Sequence, residues 1–198
     1  MATKFYRANT YHHVYNRGAL KSKIFFDKED YNYFLHRLKR HADRNKIEIL
    51  AYCLMPNHFH LFAKQTTDFL TIGKFIGDLQ NGFTKFINKK YKRSGVAFEG
   101  PAKAKYVTNE SYHKPIVEYI LLNPVSAHLV KTADSWMYST ANEIVYDANR
   151  KITSIDELIK IYTSRENLLS AIKELTDTKL PVEEILNLEG HKLENNDS

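Results

Sequence analysis

The sequence predicts an α+β fold: a ferredoxin-like βαββαβ sandwich with an antiparallel sheet, one extra helix after it and a helical C-terminal tail. Three observations predict this. Short β-rich stretches and longer stretches of helical apolar spacing alternate in the order strand, helix, strand, strand, helix, strand, which is that of a split βαβ unit. Two adjacent β-rich stretches, IEILAYCL and HFHLFAK, are separated only by Met55-Pro56-Asn57, which makes them a hairpin. Charge and apolar pattern both change near residue 150, where the helical tail begins.

The elements follow in order. Tyr11 to Asn16 (YHHVYN) reads as a strand, ended by the turn signal Arg17-Gly18. Asp27 is an N-cap, and behind it Tyr31, Phe34, Leu35 and Leu38 recur at helical spacing to about His41. Ile47 to Leu54 and His58 to Lys64 form the hairpin strands. A long helix is expected from about Asp68 to Lys92, with Phe69, Ile72, Ile76, Leu79, Phe83, Phe86 and Ile87 as its buried stripe. A short strand near Ala104 to Val107 completes the sandwich. The extra helix is expected to end at Asn123, because Pro124 cannot continue it comfortably. Pro115 either opens that helix or kinks it. Beyond about Ile152, SIDELIKIY, RENLLSAIKEL and PVEEILNL are short amphipathic helical patterns with acidic faces. Two units are therefore expected: residues 1–149 as the catalytic body and residues 150–198 as an acidic helical extension dispensable for chemistry.

Composition narrows the function. The chain has 198 residues and a formal net charge of +6, and the charge is uneven. Residues 1–149 carry 22 basic and 13 acidic side chains, whereas residues 150–198 carry 7 and 10. A basic body predicts a polyanionic partner, although a lysine-rich solvated surface has the same composition. Cys53 is the only cysteine, which excludes a disulfide framework and a thiolate metal site. No apolar run approaches the roughly 18 residues needed to cross a bilayer, and the N-terminus has no signal-peptide core. A soluble cytoplasmic protein with no membrane partner is expected.

His58 and His60 flank Phe59 in PNHFHLF, so on a strand both imidazoles share one face while Phe59 turns to the other. Imidazoles with oxygen ligands suit a divalent ion such as Mn²⁺, Mg²⁺ or Co²⁺. A His-x-His pair at a strand edge is also ordinary polar surface; what points to a site is its place in an otherwise apolar strand. Tyr119 and Asn123 in EYILLNP are spaced i, i+4 and share a helix face. Asn123 offers an amide oxygen as a third ligand, and Tyr119 offers a nucleophile one turn away, as phosphoryl transfer to a side chain requires. With thirteen tyrosines in the chain, a packing role for Tyr119 fits the spacing equally. Between Lys74 and Lys105 there are eight basic residues and only two acidic ones, Asp78 and Glu99. Arg17, Lys85, Lys89, Lys90, Lys92, Arg93, Lys103 and Lys105 are the candidate phosphate contacts, which give salt-dependent affinity with little sequence information.

Taken in order, YHHVYNRG, IFFDKEDY, YCLMPNHFHLF, INKKYKRSGVAFEG, YVTNESY, VEYILLNPV and DSWMYST resemble the HUH single-tyrosine transposases, especially the REP-associated tyrosine transposase branch. The resemblance spans roughly Tyr11 to Thr140. It implies that His58 and His60 are metal ligands, that Asn123 completes the site for Mg²⁺ or Mn²⁺, and that Tyr119 is the nucleophile. The implied reaction cuts single-stranded DNA beside a hairpin, leaving a 5′-phosphotyrosine and a free 3′-hydroxyl, in a monomer or homodimer. The chain departs from the pattern at Glu99 and Pro101, where a basic or amide side chain is expected. That departure sets up the alternative, an inactive nucleic-acid-binding module on the same fold.

Overall fold

The structure, a computed structural model, describes residues 7–175 except 70 and 147. Strand β1 (Thr10–Arg17) leads to helix α1 (Lys28–Asn45), the hairpin β2 (Ile47–Met55) and β3 (His58–Gln65), helix α2 (Ile72–Lys90) and strand β4 (Lys103–Val107). Helices α3 (His113–Ser126), α4 (Thr140–Val145), α5 (Ile155–Tyr162) and α6 (Arg165–Glu174) follow. The sheet order is β2-β3-β1-β4, and every pairing is antiparallel. This is the predicted βαββαβ sandwich. The period-two alternation of the strands gives the sheet two buried faces. Val14, Leu54, Phe59 and Leu61 pack beneath α1 and α2, whereas Ala51, Cys53, Met55 and Phe62 pack beneath α3 and the later helices.

Local chemistry explains the element ends. Asp27 caps α1 by accepting from the backbone N–H groups of Glu29 and Asp30, and Asp30 accepts in return from Asp27 N–H. The Asp30 carboxylate is fully buried and also takes Lys90 Nζ at 2.8 Å and Tyr91 Oη at 2.9 Å. These contacts tie the end of α2 to the start of α1. Helix α2 is shorter than the pattern suggests. Thr71 caps it at Lys74 N–H, while Asp68 is drawn away to accept from Ala8 N–H at 2.7 Å. Phe69 therefore lies before the helix and is 93% exposed, not part of the stripe; Phe75 fills that role instead. At the other end Lys92 adopts a left-handed conformation and lies outside the helix.

Helix α3 runs through Pro124 to Ser126, so the expected stop at Asn123 is corrected. Proline removes one N–H donor, but the turn closes around it: Ala127 N–H reaches Asn123 O at 3.0 Å and Leu129 N–H reaches Pro124 O at 2.9 Å. Pro115 falls in the first turn, where backbone N–H groups have no intrahelical acceptor, so it costs nothing there.

The segment beyond residue 150 packs against the body. Leu158, Tyr162, Leu168, Ile172 and Leu175 are buried in the same apolar cluster as Ile116, Val117 and Ile120 of α3. Ser154 N–H donates to Ile49 O at 2.7 Å, and Glu157 pairs with Lys64 at 2.7 Å. The acidic faces are real but cover an apolar underside that needs the sheet. The PVEEILNL pattern lies outside the described residues. Among those residues, no helix is long and apolar enough to cross a membrane.

Candidate active site

Strand β3 opens directly after the two-residue turn Pro56-Asn57, so the placement of His58 depends on that turn. The turn is held from outside: Ile24 and Phe25 N–H donate to Pro56 O, and Gly18 N–H donates to Asn57 O at 2.7 Å. A Cβ on Gly18 would stand 2.0 Å from Ser22 O, so only glycine permits this approach. Pairing sets His58 opposite Arg17 and His60 opposite Tyr15. Both histidines lie on the α3 face of the sheet and are more than nine-tenths buried, while Phe59 is fully buried on the other face.

Helix α3 crosses that face with Ile116, Val117, Ile120 and Leu121 buried, which turns Tyr119 and Asn123 toward the histidines. The Tyr119 ring stands edge-on to His60, with centroids 5.5 Å apart, and to His13 at 6.1 Å. Asn123 Nδ2 donates to Tyr119 O at 2.8 Å, which orients the amide and leaves Oδ1 3.5 Å from His58 Nε2. On its other side, His58 Nδ1 lies 2.7 Å from Asn57 Oδ1, an acceptor because Asn57 Nδ2 donates to Lys21 O. Burial pushes the His58 pKa down to about 4, so the ring is neutral near pH 7 and carries one N–H. The ring thus meets two amide oxygens, Asn57 Oδ1 at Nδ1 and Asn123 Oδ1 at Nε2, and its single proton can serve only one of them.

His60 is also held neutral, first by burial and then by the neighbouring imidazoles of His58 and His13. Its Nδ1 is 3.0 Å from His13 Nε2. His13, and Tyr15 stacked on His60 at 5.7 Å, belong to this site although sequence reasoning did not single them out. Their i, i+2 spacing on one strand was visible; which partner strand they would face was not. Among the described residues, no group of three or more His, Cys, Asp or Glu is placed to hold a metal ion. Two imidazoles, those of His58 and His60, and the Asn123 amide oxygen supply the nitrogen and oxygen atoms this face could offer a cation.

The candidate cations divide into two groups. Lys103 and Lys105 on β4 sit opposite Tyr15 and His13, on the histidine face, and Lys103 Nζ lies 5.7 Å over the Tyr15 ring. Arg17 shares that face, but Glu99 binds it with both carboxylate oxygens, and Arg17 in turn holds the Glu99 carboxyl below its ordinary range. Lys85, Lys89, Lys92 and Arg93 lie at the end of α2, on the other layer. Lys90 is surrounded by Asp27, Glu29 and Asp30, which commits it to the fold.

Residues 6–120 match the family profile described as transposase IS200 like. The chain belongs to the IS200-like transposase family. The fold is similar to that of a REP-associated tyrosine transposase solved bound to a REP hairpin, with a TM-score of 0.61, 18% identity, and coverage of 79% of this chain and 88% of that one. A second structure, assigned as a transposase of Deinococcus radiodurans R1, aligns at a TM-score of 0.43 and 17% identity, covering 61% of this chain and 95% of that one. No curated protein matches. The family match ends at residue 120; it contains His58, His60 and Tyr119 but not Asn123.

Proposed function

We propose that this member of the IS200-like transposases cuts and rejoins single-stranded DNA beside a hairpin, through a 5′-phosphotyrosine at Tyr119. The observation that carries the proposal is the meeting of His58 Nε2 and Asn123 Oδ1, 3.5 Å apart, beside His60 and one helical turn from Tyr119. His58, His60 and Asn123 would hold a divalent ion, Mg²⁺ or Mn²⁺. When bound, such an ion polarises a phosphate oxygen. The remaining chemistry belongs to the side chains. Tyr119 Oη forms a bond to phosphorus as its proton is lost, the P–O3′ bond breaks, and the departing O3′ takes up a proton. The free 3′-hydroxyl can later attack the phosphotyrosine, releasing the phenol. No oxidant or water is consumed. Lys103, Lys105 and Arg17 line the same face, where phosphates of the single strand would pass. Lys85, Lys89, Lys92 and Arg93 would meet DNA running beyond the strand ends.

A labelled hairpin oligonucleotide with a single-stranded extension, incubated with Mn²⁺, tests the reading. Wild-type protein should cleave it, while His58→Ala and His60→Gln should lower the rate by more than about 100-fold and weaken Mn²⁺ binding. DNA affinity should change little, because the lysines supply it. Normal cleavage by either variant would remove these histidines from the reaction. One observation favours the alternative of an inactive binding module: Glu99 neutralises Arg17 at the edge of the site. Binding by the wild type without cleavage in either Mg²⁺ or Mn²⁺ would establish it.

The basic face carries a separate expectation. Replacing Lys103 and Lys105 with Ala should weaken binding to unrelated single strands alike. It should also flatten the log–log salt slope by about 1.4, since each phosphate contact on a single strand contributes roughly 0.7. An unchanged slope in an anisotropy titration would mean that neither lysine meets phosphate.

A further inference from the structure

Register on the sheet decides what stands behind His60. In the antiparallel pairing of β1 with β3, His13 faces Phe62 and Tyr15 faces His60, so His13 and His60 are diagonal neighbours on one face of the sheet. Both side chains are more than nine-tenths buried, and their rings lie at 21° to each other with centroids 5.3 Å apart. The contact is made through nitrogen: His13 Nε2 lies 3.0 Å from His60 Nδ1, a hydrogen-bond distance. Tyr15 stacks on His60 at 5.7 Å, and the Tyr119 ring stands edge-on to both imidazoles. The pair is thus packed in an aromatic cluster that restricts how either ring can turn.

Two imidazole nitrogens at this distance share one hydrogen, and the ring that owns it fixes what His60 can do. If His13 owns it, His60 Nδ1 is the acceptor, and the single proton of the neutral His60 ring sits on Nε2, where it blocks a cation. If His60 owns it, Nδ1 donates to His13 Nε2, and His60 Nε2 keeps its lone pair. We infer that His13 is a positioning residue whose Nε2 accepts the His60 Nδ1–H, holding the ring's rotation and leaving His60 Nε2 open to a divalent cation. A metal-binding histidine ordinarily directs its second nitrogen to a carboxylate, a backbone carbonyl or water. Here another imidazole takes that place. An imidazole that accepts at Nε2 is neutral, so unlike a carboxylate it adds no negative charge that would repel a phosphate entering the site. The inference rests on the proposed metal-dependent cleavage and adds to it a residue that acts on the cation only through His60.

Two measurements test this. Long-range proton–nitrogen NMR of the isotope-labelled, metal-free wild type should show the His60 proton on Nδ1, with the ring assigned by its loss in His60→Gln. A His60 proton on Nε2 would overturn the inference, and this spectrum decides even if a His13 variant fails to fold. The second measurement reads Mn²⁺ binding by electron paramagnetic resonance, without DNA. His13→Leu removes the acceptor and should weaken Mn²⁺ binding by about tenfold or more, the usual scale for the partner of a metal-binding histidine. His13→Gln sets an amide oxygen near the place of the lost Nε2 and should bind Mn²⁺ close to wild type. Cleavage by His13→Leu should recover as Mn²⁺ is raised, and its DNA affinity should match wild type, because Tyr119 and the lysines are untouched. Wild-type Mn²⁺ affinity in His13→Leu, or equal losses in the Leu and Gln variants, would overturn the inference while leaving the metal reading intact. Absence of Mn²⁺ binding by the wild type, or binding that survives His58→Ala, would instead overturn the metal reading, and the role of His13 with it.

Discussion

Tyr119→Phe is expected to fold, to bind hairpin DNA with wild-type affinity and to lose cleavage by about 10⁴-fold or more, the scale of removing a covalent nucleophile. The substitution deletes one oxygen and keeps the half-buried ring that stands edge-on to His60 and His13. Burial energy therefore hardly changes, and the lysines that supply affinity are untouched. The proposed reaction needs that oxygen as the atom that forms the bond to phosphorus. The decisive measurement is covalent. Wild-type protein incubated with 3′-labelled single-stranded hairpin DNA and Mn²⁺ should retain label through denaturation, and peptide mapping should place it on Tyr119. Label on Tyr106 or Tyr112 would keep the reaction class and move the nucleophile. Cleavage without protein label would replace the tyrosine mechanism with a water-using nuclease.

A chain ending at Asp147 should lose its cooperative unfolding transition rather than merely its acidic tail. The truncation strips Ile152, Leu158, Tyr162, Leu168, Ile172 and Leu175 from buried positions. It also uncovers the apolar side of α3 that these residues shield. Deleting a single buried aliphatic side chain costs about 2–5 kcal/mol, and a domain's whole margin is about 5–15 kcal/mol. Losing several together exceeds that margin. Because α3 carries Tyr119 and Asn123, cleavage should disappear with the fold. A finer probe separates the two: Leu158→Ala should cost about 2–4 kcal/mol in urea unfolding yet retain cleavage at low temperature. A truncated chain that melts like the full-length protein and still cleaves would show that α5 and α6 only decorate the core.

The strands and helices of the sandwich were legible because each follows a local rule. Alternation in HFHLFAK, the Asp27 cap and the Pro56-Asn57 turn act through near neighbours, and the structure keeps all three. The start of α2 was misplaced because Asp68, a good first-turn residue by local rules, is instead recruited by Ala8 N–H sixty residues away. The end of α3 was misplaced because a proline penalty is local, whereas the carbonyl and amide contacts that offset it come from the turn beyond. Beyond residue 150 charge describes only the surface, since an acidic surface says nothing about the apolar side beneath it.

By itself the sequence determined the order of elements, the shared face of His58 and His60, and the shared face of Tyr119 and Asn123. These are consequences of periods 2 and 3.6, which the chain carries at every residue. Only the tertiary structure decided that the two faces meet, with Asn123 Oδ1 3.5 Å from His58 Nε2. It also brought His13 beside His60, joined Glu99 to Arg17 and put the α2 cations on the layer away from the site. Strand register and helix docking are set by burial summed over the whole core, and no window of neighbouring residues contains that sum.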